Sequence, residues 1–299
     1  MRQTANDKPI RPVIAVYGAG GHTGHFVVHE LLRRRYRVIA LGRNAANLAV
    51  AGFPADARSC TANLNDPAAL ASALTDADAV INCAGPFLDT ADPLISAALR
   101  AHIHYIGVTA EQASVQATFE RYAGEAENSG VTVIPAMGFY GGLGDLLATA
   151  AMGDWARADE IRIGIALDSW RPTEGTRATG RRNTARRLTI SEGRLRPLPH
   201  PTPETVWHFA DPFGVQAMVE LPFTEAILIA RHLPVSVLHT YLNTTPLRDL
   251  RNASTPPPVA ADVTGRSAQT FLVEAEIRQG GALRRVSAQG QDIYAVTAP

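Results

Sequence analysis

Val13-Ile-Ala-Val-Tyr-Gly-Ala-Gly-Gly-His-Thr-Gly24 runs from a β-branched, apolar stretch through glycines into an amphipathic helix pattern. Gly18, Gly21 and Gly24 stand at G-x-x-G-x-x-G spacing, and Gly20 adds G-x-G at the turn. Dinucleotide binding asks for this composition on physical grounds. The first glycine makes the tight turn after the strand, the middle ones let backbone N–H groups reach a pyrophosphate, and the last lets helix and strand pack closely. The phosphates then lie on the helix N-terminus, where unpaired N–H groups and the macrodipole favour negative charge. Here strand, glycines, helix and a second strand follow in order, so a nucleotide site is expected. His22 and Thr23 belong to the same loop, and His22 is expected to donate to a phosphate oxygen or to cap the helix.

The second strand and its exit, Arg37-Val-Ile-Ala-Leu-Gly-Arg43-Asn44, say which nucleotide. An NAD site usually carries an acidic residue about twenty residues past the glycines, for the ribose hydroxyls. No Asp or Glu is there. Arg43 can hold a 2′-phosphate and stack on adenine, with Asn44 as a neutral donor. NADP(H) is the expected cofactor.

At 299 residues, and at ~150 residues per domain, two domains are expected: 10–153 and 154–299. With 46% hydrophobic residues and no long apolar run, the chain can bury a core and does not read as membrane-spanning. A net charge of zero argues against a nucleic-acid footprint. Met1 to Lys8 is polar and lacks the apolar run of a signal peptide, and Cys60 and Cys83 form no disulfide framework, so a cytoplasmic setting is expected. Lys8 is the only lysine, which removes any Schiff-base lysine and any Tyr-x-x-x-Lys pair. Proton transfer then falls to His, Tyr, Glu, Asp or water.

Strands and helices alternate up to about residue 153, as in a doubly wound parallel sheet. Strands are expected at Arg58–Ala62, Ala79–Cys83, His104–Val108 and Val131–Ile134. Helices are expected from Asp66-Pro67 to Leu74, from Pro93 to Arg100, from about Ala113 to Asn128 and from near Gly144. Beyond Ala158, the stretches Glu160–Leu167, Thr270–Ile277 and Leu283–Ser287 alternate like half-buried strands, the last two flanking a Gln-Gly-Gly hairpin signal. The second domain is therefore read as α+β with a mainly antiparallel sheet, serving substrate binding and dimerisation, with a homodimer as the candidate assembly.

Several segments together resemble the saccharopine dehydrogenase-like reductases. They are Gly18–Gly24, Leu41-Gly-Arg43, Asn82-Cys-Ala-Gly-Pro-Phe87, His104-Tyr-Ile-Gly-Val-Thr-Ala-Glu111 and Ile134-Pro-Ala-Met-Gly-Phe139. The second half is similar only to a less characterised branch, through Phe209–Gly214 and Asp292–Pro299. The resemblance implies a Rossmann domain, a substrate domain on an antiparallel sheet, NAD(P) and hydride transfer. Relatives reduce imines formed from amino acids, and some reduce activated double bonds on acyl chains. Two departures stand out. Gly107 replaces an Asp that the family often has, and the chain stops at Pro299 on what reads as a strand, where relatives tend to continue into a helix.

Ligands of a doubly wound sheet lie beyond the carboxyl ends of its strands. That rule selects Ala84, Gly85, Pro86 and Phe87 for the cofactor, with Thr109 to Glu111 and Met137 to Tyr140 on the rim. Tyr140 is the first choice of acid, since a phenol there can protonate a forming amine or alkoxide; the plainer reading is packing at a domain junction. Glu111 either accepts a hydrogen bond from ribose or substrate amine or caps the next helix. Arg177, Arg181 and Arg182, in a run that continues to Arg186 and Arg187, either clamp an anionic substrate or form a solvated basic face. His208, with Asp211 and Gln216, is a candidate for the same pocket. His102 and His104 would share a strand face, but no third ligand follows at suitable spacing, so no metal is expected. The expected function is an NADPH-dependent reductase acting on C=N or C=O of a small, polar, amino-acid-like substrate. Alternatives are reduction of an activated C=C bond on an acyl substrate and non-catalytic NADP sensing.

Overall fold

The structure, a computed structural model, describes residues 11–299, so the expectations drawn from Met1 to Lys8 lie outside the described residues. Its first sheet is parallel and holds Val13–Tyr17 (β1), Arg37–Gly42 (β2), Ala57–Thr61 (β3), Ala79–Asn82 (β4), His104–Gly107 (β5) and Val133–Ile134 (β6). The strand order is β3-β2-β1-β4-β5-β6, which reverses direction between β1 and β4. A ligand crevice opens at such a reversal. The crossovers are His22–Arg33 (α1), Ala45–Ala51 (α2), Pro67–Leu74 (α3), Phe87–Arg100 (α4) and Gln112–Ser129 (α5). Helices cover both faces, which is why β1 and β2 are nearly continuous apolar runs with Ala15, Val16, Ala40 and Leu41 fully buried.

Local chemistry sets most helix ends. Asp66 accepts from the N–H groups of Ala68 and Ala69, with Pro67 as the first helical residue of α3. Gly130, at φ +64°, closes α5. One helix starts earlier than expected. Pro93 lies inside α4, which begins at Phe87. A proline in the first turn is favoured, but here the start is set by an acceptor elsewhere in the chain, Glu111.

The second sheet comprises Ala158–Leu167 (β7), Leu188–Ser191 (β8), Arg194–Pro197 (β9), Glu204–His208 (β10), Val215–Glu220 (β11), Val235–Asn243 (β12), Thr270–Gln279 (β13) and Ala282–Gln291 (β14). Its order is β10-β11-β12-β7-β13-β14, with β8 on β12 and β9 on β8, and only β12 and β7 pair in parallel. Gly280 and Gly281, at φ +53° and +85°, make the two-residue turn between β13 and β14, as the Gln-Gly-Gly signal suggested. The remaining helices are Gly144–Met152 (α6), Glu174–Arg182 (α7), Glu225–His232 (α8) and Thr244–Arg251 (α9). Side chains of α6 and α8 bury Ile161, Ile163, Ile165 and Phe271 on one sheet face. The β10–β11 hairpin curls over the other, setting Trp207 on Gly164, where a Cβ would lie 2.7 Å from the indole.

The final residues are not a strand. Asp292, buried and at φ +61°, ends β14 and accepts from the N–H groups of Tyr294 and Ala295. That cap folds Ala295–Thr297 into a 3-10 turn against α1, where Thr297 Oγ1 accepts from the N–H of Phe139 at 3.1 Å.

Candidate active site

The glycine loop is built to stay bare. Gly18 turns at φ +84°, and a Cβ there would lie 2.9 Å from the backbone nitrogen of Ala84. At Gly24 a Cβ would come within 2.2 Å of Gly18 O, so only glycine lets α1 pass this close to the loop. Gly20 and Gly21 are exposed, and a Cβ on Gly21 would meet nothing nearer than Gly18 O at 3.2 Å. No side chain caps α1, and its first turn holds no acidic residue. Its leading N–H groups are therefore open to a phosphate. The cradle fits a dinucleotide.

His22 does not cap α1. Its ring lies edge-on to Phe26 and Tyr294, each 5.2 Å away, and its buried Nε2 has no partner among the described residues. Burial pulls its pKa below the ordinary histidine value, with the charge of Asp292 opposing. Arg43 leaves β2 exposed, close enough to Tyr17 for its charge to oppose the rise that burial imposes on that phenol. Asn44 accepts from Ala46 N–H at 2.8 Å as the cap of α2, which leaves its amide NH2 free to donate.

Two buried side chains shape the rim beyond β4. Asn82, fully buried, accepts from Ala84 N–H at 3.0 Å and donates to Tyr105 Oη at 3.1 Å. The sequence reading gave it no task. Glu111 is also fully buried, and its carboxylate accepts from the N–H groups of Phe87 at 2.7 Å and Leu88 at 3.1 Å. It caps α4 across the sheet instead of the helix that follows it, and both oxygens already have partners. Burial raises its pKa, and the two N–H donors oppose the rise. Glu111→Ala should therefore cost about 2–4 kcal/mol in urea unfolding, because two buried donors lose their acceptor. Glu111→Gln, which keeps one oxygen, should cost less. Gly107 has no room for the family's Asp, since a Cβ would lie 2.7 Å from Pro135 O.

A cavity of about 520 Å³ opens between this rim and the second sheet. Thr23, Cys83, Gly85 and Phe87 border it on the cofactor side. Burial pushes the Cys83 thiol up to about 12, so it is un-ionised at neutral pH. Tyr140 borders the other side, stacked between Trp170 at 5.1 Å and Phe223 at 4.2 Å. Its hydroxyl is buried without a hydrogen-bond partner among the described residues. Burial lifts the phenol well above its ordinary pKa, and the charge of Arg187 opposes. Tyr294, also at the cavity, differs: its hydroxyl accepts from Trp170 Nε1 at 3.2 Å and Thr173 N–H at 3.3 Å.

The arginine run divides. Arg177 and Arg181 border the cavity, but Arg177 also donates to Thr255 O at 2.8 Å. Arg182 points away and pairs with Asp89 at 3.0 Å, both exposed. Arg187, which the sequence reading left unassigned, does border the cavity. One of its N–H groups reaches Pro222 O at 2.7 Å, and its guanidinium sits 4.8 Å over the Phe223 ring. Helix α7 rests on the rim, where a Cβ at Gly85 would lie 2.6 Å from Thr179 Oγ1.

Two expectations need correction. His208 is exposed on β10, and neither it nor Asp211 nor Gln216 borders the cavity, because their hairpin lies over the opposite face of the second sheet. His102 sits in a turn at φ +53°, outside β5, so it shares no strand face with His104, whose Nδ1 accepts from Thr132 N–H.

The NAD(P)H-binding family matches residues 18–131. A probable mitochondrial saccharopine dehydrogenase-like oxidoreductase of Arabidopsis thaliana is 28% identical over 155 residues, 46% of this chain and 34% of the relative. A saccharopine dehydrogenase-like oxidoreductase of Bos taurus is 25% identical over 145 residues, 42% of this chain and 34% of the relative. By sequence, the chain is similar to the saccharopine dehydrogenase-like oxidoreductases. It spans about a third of the length of these curated relatives. Apo saccharopine dehydrogenase (L-Glu forming) of Saccharomyces cerevisiae superposes with a TM-score of 0.61 at 12% identity, over 96% of this chain and 88% of that one. That match extends the likeness of fold to the second sheet. No described helix is long and apolar enough to cross a membrane.

Proposed function

We propose that the chain is an NADPH-dependent reductase acting on a C=N or C=O group of a small substrate, which the sequence suggests is polar and amino-acid-like. One observation carries this reading: the rim residues after β4 border the same cavity as Tyr140, whose buried hydroxyl has no partner among the described residues. The loop Gly18–Gly24 and the start of α1 would hold the phosphates, Arg43 and Asn44 the 2′-phosphate, and Ala84–Phe87 the nicotinamide end. When bound, the coenzyme supplies the hydride. Tyr140 donates a hydrogen bond to the substrate oxygen or nitrogen that gains negative charge, and then its proton. Trp170 and Phe223 hold the Tyr140 ring and keep water from it. In this reading residues 10–153 bind the dinucleotide and 154–299 the substrate, and a homodimer remains the proposed assembly. Cytoplasmic residence is proposed from the two free thiols, against the mitochondrial name of the Arabidopsis relative.

The largely apolar cavity wall also suits an activated C=C bond on an acyl substrate. Absorbance of NADPH should be followed against amino acid–keto acid pairs, simple carbonyls and enoyl thioesters. Oxidation with the first two classes supports the proposal, and oxidation with enoyl thioesters alone supports the second reading. Cofactor binding with no oxidation across the panel would point to a sensor and overturn both. Arg43→Asp should lower NADPH affinity by about 2 kcal/mol, roughly thirtyfold, and erode or reverse the preference over NADH in a calorimetric titration.

A further inference from the structure

The cavity's lining is more specific than the expected polar substrate. Six aromatic residues face it, Phe87, Phe139, Tyr140, Trp170, Phe223 and Tyr294, and among the described residues no carboxylate does. An ammonium group would find no counter-charge there. The charges present are Arg177, Arg181 and Arg187. Arg181 is exposed on α7, and Arg177 is tied to two backbone carbonyls. Arg187, part-buried like Arg177, is held by a single backbone carbonyl, Pro222 O, and against the Phe223 ring. A guanidinium carries five N–H donors, and among the described residues one of them is engaged. Glu225 offers a counter-charge at a distance and forms no ion pair with it. One largely apolar chamber is thus bordered both by Arg187, whose guanidinium makes one hydrogen bond among the described residues, and by Tyr140, whose buried hydroxyl makes none.

We propose that the substrate is an acid with an aromatic or otherwise flat apolar body and no ammonium group, its carboxylate taken by Arg187 and its reducible oxygen or nitrogen by Tyr140. A 2-oxo acid with an aryl side chain has this layout. Burying an aromatic body supplies the apolar contribution to affinity, and the guanidinium matches a carboxylate with paired hydrogen bonds in a chamber of low polarity. An amino-acid substrate would instead bring an unpaired ammonium against three arginines. This inference rests on the reductase reading and replaces its amino-acid-like substrate with an aryl acid.

The test uses the unmodified protein with NADP+ present and unreactive probes, titrated by calorimetry: 3-phenylpropionate, its amide, glutarate and phenylalanine. The aryl acid should bind at least about tenfold more tightly than its amide. It should also bind more tightly than glutarate, which lacks the apolar body, and than phenylalanine, which adds the ammonium. Arg187→Met should abolish the preference for acid over amide while NADPH affinity, which also reports folding, stays unchanged. Equal binding of acid and amide by the unmodified protein, or tighter binding of glutarate or phenylalanine, would overturn the proposal. So would a preference that survives in Arg187→Met. If NADPH binds and the aryl acid does not, the substrate class is wrong and the cofactor reading stands. If NADPH itself does not bind, the reductase reading fails first.

Discussion

Gly21→Val is expected to abolish dinucleotide binding while leaving the chain folded. A Cβ at Gly21 meets only Gly18 O, at 3.2 Å, and the residue is exposed at the head of α1. A branched side chain there would fill the space that a pyrophosphate needs to reach the N–H groups of the first turn. Hydrogen bonds to a charged group contribute about 1.5–3 kcal/mol each, so losing two lowers affinity by roughly a hundredfold or more. Gly24→Ala should behave differently. Its Cβ would sit 2.2 Å from Gly18 O, forcing α1 off the loop, so the melting temperature should fall along with binding. Calorimetric titration and thermal unfolding separate the two. Retained NADPH binding in Gly21→Val would mean that the phosphates lie elsewhere.

Tyr140→Phe should lower kcat by about 10²–10³, the range expected for a positioned proton donor, with NADPH affinity unchanged. The same change should not destabilise the protein. The Tyr140 hydroxyl is buried without a partner among the described residues, and removing an unsatisfied polar group is neutral or stabilising. The ring stays, so its stacking on Trp170 and Phe223 stays with it. A purely packing tyrosine predicts no kinetic effect at all. Full activity in Tyr140→Phe with a substrate found by the oxidation panel would remove it from the chemistry.

Features governed by neighbours in sequence were legible before the structure. The glycine loop, the capped start of α3 at Asp66-Pro67, the closing Gly130 and the Gly280-Gly281 hairpin all depend on residues within a few positions of one another. The misread features depend on partners far along the chain. The start of α4 is set by Glu111, 24 residues beyond Phe87. The C-terminal turn depends on buried Asp292 and on the reach of Thr297 back to Phe139. His208 looked close to the site because its turn is rich in special residues, yet sheet order carries that hairpin to the opposite face. Arg187 was hidden for a related reason. In sequence it is one more arginine in a basic run; only the approach of Phe223 and Pro222 from after β11 separates it from exposed Arg182 and Arg186. Asn82 showed its motif but not its task, because its partners Tyr105 and Thr90 come from β5 and α4.

The central claim is that this loop and Arg43 form an NADPH site beside a substrate cavity. Titrating NADPH and NADH separately into the unmodified protein tests it most directly. Saturable binding of both is expected, with NADPH favoured by about tenfold or more through the 2′-phosphate contacts. Equal affinities, or no binding of either, would contradict it.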